Sequence, residues 1–284
     1  MGYNIQVLCF MFLVSMEASV LATGTTPGIQ DIFLGRCLAY QELLKPYPQT
    51  EVNCKTLWST FNTSFAGKEP CSLTTKDYSD FIEMSLTSIP EDKAMFWSGT
   101  YRVAHDYSES GKRFITLEDT LLGYIMNGLT WCGQKAPPGI NYQSCPPYNG
   151  CPETASTAFW GKASSQFASQ AKGTVIILLD GSNPARPAYS TESYFAKFEL
   201  PSLSPTEVKM VDVYVVHDIN KPYRETCENG TLPTLQQAIK DHGIDYRCQD
   251  NPQSILHLLC VDSPGSVLCR MMKRFHRNNI TIFG

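Results

Sequence analysis

The chain of 284 residues is 43% hydrophobic and 18% charged, and its 23 basic and 27 acidic side chains give a formal net charge of −4. This length and composition exclude a disulfide miniprotein, a disordered chain, collagen and a coiled coil. The acidic balance argues against a nucleic acid or an acidic membrane as partner, and a mean hydropathy of −0.19 excludes a protein with many membrane spans.

The N-terminus has the pattern of a secretory signal peptide. An apolar stretch from Ile5 to Val14 is followed by small residues that end at Ala22, as in an h-region and its cleavage site. The apolar stretch is too short to span a bilayer. We therefore expect residues 1–22 to be removed from a protein that is secreted or stored in a vesicle lumen.

The cysteines fit such an oxidising compartment. One of the 11 cysteines, Cys9, lies in the predicted signal peptide, and no C-x-x-C pair of a zinc ribbon or thioredoxin-like site occurs. The remaining ten predict five disulfides, whose pairing the sequence alone leaves open. Sequons at Asn62, Asn229 and Asn279 also fit secretion, and we expect no membrane anchor because no hydrophobic tail ends the chain.

From Gly28 to about Leu86 the pattern is helical. Apolar residues recur at three- and four-residue steps after Thr26-Pro27, which is typical of a helix start. These residues are Ile29, Ile32, Phe33 and Cys37. A second helix is predicted to carry Tyr78, Phe81 and Ile82.

After about residue 172 strands alternate with helices. Thr174–Leu179 and Val211–Val216 are predicted strands, and Ile244–Cys248 is a short third one. Helices are predicted over Pro233–His242 and after Asn251-Pro252. The alternation predicts a small parallel sheet with crossovers.

The middle third, residues 91–165, is rich in aromatic residues and glycine. Thr116 and Asp119 match a capping box, which leaves the intervening Glu118 without a capping role. The histidines have no metal-ligand spacing, so we expect no metal site. They are His105, His217, His242, His257 and His276.

A second acidic residue, Glu199, lies in the alternating segment Tyr194–Leu200, and an edge strand with a solvated Glu199 is the simplest structural interpretation. Tryptophans are more often core residues than ligand platforms. Trp97 and Trp160, however, stand beside glycines that allow a ligand to approach the backbone. A cationic aromatic ring such as oxidised nicotinamide would suit indole faces with a carboxylate nearby.

Seven segments in this order resemble the ADP-ribosyl cyclase family, which includes the leukocyte NAD glycohydrolase ectoenzymes. They are Met95–Gly99, Ala104–Tyr107, Ile115–Leu121, Trp131–Gln134, Phe159–Gly161, Asp180–Pro184 and Lys197–Pro201. The resemblance extends from about Ile29 to Phe275, and within the family it is strongest to the molluscan cyclases.

The resemblance implies an α+β fold of two lobes with the active site in the cleft between them. A helical lobe would comprise residues 23–90 and 120–164, and an α/β lobe with a small parallel sheet residues 91–119 and 165–284. It also implies the disulfide pairing Cys37–Cys54, Cys71–Cys151, Cys132–Cys145, Cys227–Cys248 and Cys260–Cys269.

The family's catalytic glutamate matches Glu199, and its second acidic residue, which contacts the nicotinamide amide, matches Glu118. Asn127 falls where the molluscan cyclase has an amide, and it is expected to hydrogen-bond the same group. The framing indoles match Trp97 and Trp160, and the other predicted substrate contacts are Ser98 and Ser164 at phosphates and Phe195 as a wall. Tyr194 stands where the cyclase has phenylalanine and the ectoenzymes a small polar residue.

The resemblance implies an enzyme that converts NAD to cyclic ADP-ribose and nicotinamide and exchanges the base of NADP to give nicotinic acid adenine dinucleotide phosphate. NAD and NADP would be substrates, with no cofactor, and a homodimer is possible within the family. Two alternatives remain open, a NAD glycohydrolase that makes mainly linear ADP-ribose and a secreted binding protein without catalysis. The four residues Glu199, Glu118, Trp97 and Trp160 together argue against the second alternative.

Overall fold

The computed structural model of the protein describes residues 24–44, 51–147 and 150–280, without the side chains of residues 274–280. The predicted signal peptide and the side chain of Asn279 lie outside this description. Among the described residues no single helix is long and apolar enough to cross a bilayer, and one sharply bent pair of helices near the C-terminus passes the same test of length and composition.

The first part of the described chain is helical, as predicted. Its elements are α1 (Ile29–Ala39), a π-helical turn (Tyr40–Leu44), α2 (Cys54–Phe65), a 3-10 turn (Thr75–Tyr78) and α3 (Ser79–Glu83). The Asn53 side chain caps α2 by accepting from the backbone N–H groups of Lys55 and Thr56.

The middle of the chain contains short elements. They are β1 (Met95–Ser98), α4 (Tyr101–Ser108), a 3-10 turn (Leu117–Asp119), α5 (Leu121–Met126), the hairpin strands β2 (Gly133–Gln134) and β3 (Gly139–Ile140), and α6 (Ala155–Ser169). The sequence does not predict β1, because four residues with a half-buried carboxyl end give no clear periodicity.

The last part alternates strands and helices, as predicted. Its elements are β4 (Gly173–Asp180), a π-helical turn (Phe195–Glu199), a 3-10 turn (Leu200–Ser202), β5 (Val208–Val216), α7 (Leu232–Asp241), β6 (Asp245–Asp250), α8 (Gln253–Asp262) and α9 (Val267–Ile280).

Four strands form one sheet in the order β1-β4-β5-β6, and every neighbouring pair is parallel. The predicted small parallel sheet is therefore confirmed. Alternate residues of β4 enter different apolar clusters, Ile177 on one face and Leu178 on the other. Both faces are thus covered, which explains why β4 is a continuous apolar run.

One helix, α6, joins the helical part of the molecule to the sheet. Phe159 near its N-terminal end packs against Phe81 of α3, at 5.9 Å between ring centroids, in the same apolar cluster as Phe33 and Phe61. Phe167 near its C-terminal end packs with the sheet residue Phe96, at 5.4 Å between ring centroids. The predicted division between lobes at residue 164 falls within this helix, and the exact lobe boundaries stay a prediction.

The five predicted disulfides are present. They join Cys37 to Cys54, Cys71 to Cys151, Cys132 to Cys145, Cys227 to Cys248 and Cys260 to Cys269. This pairing agrees with the one that the resemblance implies. The closed loops differ widely in length, from 80 residues between Cys71 and Cys151 to nine between Cys260 and Cys269.

We expect these two disulfides to differ in their contribution to stability. In the chain-entropy model the longer loop restricts the unfolded chain more, by about 4.5 against about 2.6 kcal/mol. Urea unfolding should therefore give Cys71→Ala/Cys151→Ala a lower free energy of unfolding than Cys260→Ala/Cys269→Ala, by about 2 kcal/mol. Equal losses, or a larger loss in the second variant, would contradict the entropic explanation.

Candidate active site

A cavity of about 400 Å³ opens where α6 meets the carboxyl end of β1. Eight of the nine predicted catalytic or substrate-binding residues line it. They are Trp97, Ser98, Glu118, Trp160, Ser164, Tyr194, Phe195 and Glu199. Sites at the carboxyl ends of parallel strands are common in α/β folds, because the chain leaves the sheet there in loops that can carry side chains.

Glu118 reaches this cavity from a tightly held turn. The backbone N–H and the hydroxyl of Thr116 both donate to the Asp119 carboxylate at 2.9 Å, so the predicted capping box is present. Gly123 of α5 allows the turn to pack closely, since a Cβ there would lie 1.9 Å from the Leu117 carbonyl oxygen. Asp119 thus serves the cap, and Glu118 is left for the cavity.

The Glu118 carboxylate is hydrogen-bonded to an indole. Trp97 Nε1 donates to Glu118 Oε2 at 3.2 Å. Trp97 lies on the edge strand β1, where its parallel partner in β4 is Leu178. The sheet therefore fixes the indole, and the indole fixes the carboxylate.

Glu199 ends the π-helical turn Phe195–Glu199 and is only 8% exposed. The interpretation of this segment as an edge strand with a solvated glutamate is therefore wrong. The turn packs on α6, because Gly161 leaves room for the Phe198 ring, 2.8 Å from where a Cβ would stand, and Ser165 donates to the Phe198 carbonyl. Packing against a helix thus overrides the alternating pattern.

Burial changes the acidity of this carboxyl. The pKa of Glu199 is raised from 4.5 to about 8, mainly by desolvation and also by the negative charge of Glu118, while the hydroxyl of Ser164, donating to the carboxylate, lowers it. Ser164 lies on α6 and is itself 3% exposed. A strongly shifted group in a cavity is typical of functional sites.

Aromatic rings form the remaining walls. Trp160 projects from α6, half-buried, with its ring 4.9 Å from that of Phe159. Phe195 is fully buried against Phe96 at 5.7 Å, and the Tyr194 ring lies 5.3 Å from the Phe198 ring. The other two tryptophans, Trp58 and Trp131, belong to the helical core.

Asn127 is not among the residues that line the cavity. Its amide Nδ2 donates to the Tyr101 hydroxyl at 3.5 Å, and the Tyr101 ring lies 5.4 Å from that of Trp97. Its predicted direct contact with a substrate amide stays a prediction.

Sequence reasoning missed two residues near the cavity. Arg186 lines it and, among the described lining residues, is its only cationic side chain. His105 does not line it but has Nε2 3.9 Å from Glu118 Oε2. Arg186 lies in no segment that distinguishes it from a surface arginine. His105 lies in the family-like segment Ala104–Tyr107, but the resemblance implies no role for it.

Such a cavity can hold a flat ring between indoles and stabilise positive charge that develops beside a buried carboxylate. Glu199 and Glu118 can also take different roles, since Glu199 is buried whereas Glu118 is half-buried. Among the described residues no three His, Cys, Asp or Glu side chains are grouped to hold a metal ion.

Comparison with known proteins gives consistent relatives. The family model described as ADP-ribosyl cyclase matches residues 26–269. The "ADP-ribosyl cyclase/cyclic ADP-ribose hydrolase" of Aplysia kurodai is 42% identical over 254 residues, 89% of this chain and 90% of that protein. The human "ADP-ribosyl cyclase/cyclic ADP-ribose hydrolase 2" is 36% identical over 84% of this chain and 74% of its own length.

A solved structure is similar as well. A crystal structure of Aplysia cyclase complexed with the substrate NGD and the product cGDPR superposes with a TM-score of 0.83. The two sequences are 42% identical, and the match covers 87% of this chain and 98% of that one.

The raised pKa of Glu199 predicts a pH-dependent gain in stability for Glu199→Gln. Between about pH 4.5 and 8 the unfolded chain loses this proton while the folded protein keeps it, so the free energy of unfolding of the wild type falls as the pH rises. Glutamine cannot ionise, so the free energy of unfolding of the variant should rise relative to that of the wild type across this window. The difference should reach roughly 4 to 5 kcal/mol once Glu199 is fully ionised.

Urea unfolding at pH 5 and pH 8.5 measures this difference. The matched control is Glu207→Gln, because Glu207 is exposed and its carboxylate is near Lys172 only at the surface. The difference in free energy of unfolding between Glu207→Gln and the wild type should hardly change with pH. A pH-independent difference for Glu199→Gln would show that the carboxyl is not desolvated.

Proposed function

Because the chain belongs to the ADP-ribosyl cyclase family, we propose that it cleaves the bond between nicotinamide and ribose in NAD and closes the product to cyclic ADP-ribose. The observation that carries this proposal is the buried carboxyl of Glu199 in a cavity with two indoles and a second carboxylate. NAD would be a substrate and not a cofactor.

Glu199 is the group that suits the bond-breaking step. Loss of nicotinamide leaves an oxocarbenium-like ribose, which a carboxylate beside the anomeric carbon can stabilise or trap covalently. Nicotinamide leaves as a neutral base, so no general acid is needed. The ionised form of Glu199 is the reactive one, and its raised pKa makes activity increase as the pH rises towards about 8.

Glu118 and the indoles suit the orientation of the nicotinamide. The Glu118 carboxylate can accept from the carboxamide N–H while the Trp97 indole holds that carboxylate. Trp160 on α6 offers a ring face on which a base can stack. Trp97 and Trp160 together would support a folded dinucleotide. Folding brings the adenine N1 near the anomeric carbon, which favours intramolecular attack over attack by water.

The phosphates of the dinucleotide would be held by Ser98 and Arg186. Ser98 is half-buried at the carboxyl end of β1, and Arg186 brings a positive charge to the same cavity. The hydroxyl of Ser164 is engaged by Glu199, so we propose that it holds the carboxylate instead of a phosphate.

Several finer features belong to the same proposal. Base exchange on NADP follows if nicotinic acid enters the vacated nicotinamide position before the ribosyl species closes. The five disulfides support a secreted protein or one in a vesicle lumen. A homodimer is proposed from the family alone.

The alternatives differ in their products. A NAD glycohydrolase would release mainly linear ADP-ribose, and a binding protein would release no nicotinamide. Incubation of the purified protein with NAD and chromatography of the products separates all three. We expect nicotinamide together with more cyclic than linear product.

Glu199→Gln should lower the rate of nicotinamide release by more than about a hundredfold, because a neutral amide cannot match the charge that develops on the ribose. Chromatography of NAD digests measures the rate, and circular dichroism checks the fold. Glu207→Gln is the control and should keep wild-type activity, since Glu207 is remote and exposed. A rate for Glu199→Gln within about tenfold of wild type would overturn the assignment.

Tyr194→Thr should raise the ratio of linear to cyclic product, because a smaller side chain lets water reach the anomeric carbon. Total NAD consumption should stay within about an order of magnitude, since Tyr194 does not take part in bond breaking. The exposed Tyr142 supplies the control Tyr142→Thr, which should leave the ratio unchanged. An unchanged ratio in Tyr194→Thr would show that this ring does not exclude water.

A further inference from the structure

His105 of α4 faces the carboxylate of Glu118 from behind the cavity. Its Nε2 lies 3.9 Å from Glu118 Oε2, the same oxygen that accepts from Trp97 Nε1. Since His105 is not among the residues that line the cavity, we expect it to act on a substrate through Glu118.

The protonation of the ring follows from its other nitrogen. His105 Nδ1 is 2.7 Å from the carbonyl oxygen of Tyr101, which can only accept, so Nδ1 carries a hydrogen. His105 Nε2 is buried and has no hydrogen-bond partner within the described structure. In the neutral ring its lone pair faces a carboxylate oxygen, which places two acceptors together. A proton on Nε2 removes this conflict and creates an ion pair.

Two aromatic rings lie close to the imidazole. Tyr101 lies 4.0 Å from the imidazole between centroids, and Trp97 approaches at 5.9 Å. Aromatic rings stabilise a neighbouring cation.

The other charged groups near α4 are engaged elsewhere or exposed. Arg102 of α4 pairs with Asp262 of α8, the helix packed against α4, on the outer surface. Asp106 is exposed, and Glu109 pairs with Arg113. Glu118 is therefore the anion that the buried nitrogen of His105 faces.

We propose that His105 is a positioning residue, whose protonated ring holds the Glu118 carboxylate against the Trp97 indole and offsets its charge. The effect on catalysis rests on the proposed function, whereas the contact itself does not.

The contact can be tested without substrate by the indole N–H signal of Trp97 in a 15N-labelled protein. Because Trp97 donates to the oxygen that His105 faces, this signal should move with pH in the window where histidine changes charge, about pH 5 to 8. The buried Trp131 N–H, bonded to the Tyr78 hydroxyl, is an internal reference that should not move.

Glu199, whose pKa of about 8 would also move the signal, is first replaced by glutamine. In this Glu199→Gln background two variants should abolish the movement of the Trp97 signal. His105→Asn keeps a polar side chain but cannot become charged, and Glu118→Gln removes the anion. Asp106→Asn, which removes a neighbouring exposed charge from the same helix, should leave the movement unchanged. Movement that persists in His105→Asn would overturn the proposal.

The catalytic consequence is tested with the single and double variants at two pH values. At pH 6 we expect His105→Asn and Glu118→Gln to be coupled, so that the double variant is about tenfold more active than the product of the two single effects predicts. At pH 8 the coupling should fall to within about twofold, because a neutral imidazole forms no ion pair.

The same coupling at both pH values, or none at either, would contradict the ion pair. A wild-type protein that releases no nicotinamide would contradict the proposed function but leave the indole measurement as the test of the contact. The two failures are therefore distinguishable.

Discussion

The burial of one carboxyl group, Glu199, is the constraint on which the rest of the site depends. A buried carboxylate is costly unless other groups bond or offset its charge. Here burial, and to a smaller extent the charge of Glu118, outweighs the hydrogen bond from the Ser164 hydroxyl, so the pKa of Glu199 rises to about 8. The fold maintains this unfavourable environment by close packing between the π-helical turn and α6 around Gly161.

Two structural elements bring the remaining groups to that carboxyl. α6 belongs to both the helical core and the sheet core, so Trp160 and Ser164 are held by the packing of the whole molecule. The edge strand β1 carries Trp97, and the capped turn that follows α4 carries Glu118. Because the Trp97 indole N–H donates to the Glu118 carboxylate, a shift of either element would displace both groups.

The sequence predicts most of this fold and part of the site. Long apolar runs such as β4 and the capping box at Thr116 follow from local patterns, and both are present. Glu199 was ambiguous because alternation in a seven-residue segment does not distinguish a strand from a turn that packs on a helix. The resemblance, and not the local pattern, identified its chemistry. His105 could not be found, because its role depends on a contact between residues 13 positions apart that only the fold creates.

The measurement that tests this account most directly is the titration of the Glu199 carboxyl by 13C NMR in the substrate-free protein. We predict a midpoint near pH 8, which should fall in Glu118→Gln because the opposing charge is removed, and rise in Ser164→Ala because a donor is lost. Signals are assigned by their disappearance in Glu199→Gln. A midpoint near 4.5 that neither variant moves would show a solvated carboxylate and contradict the account.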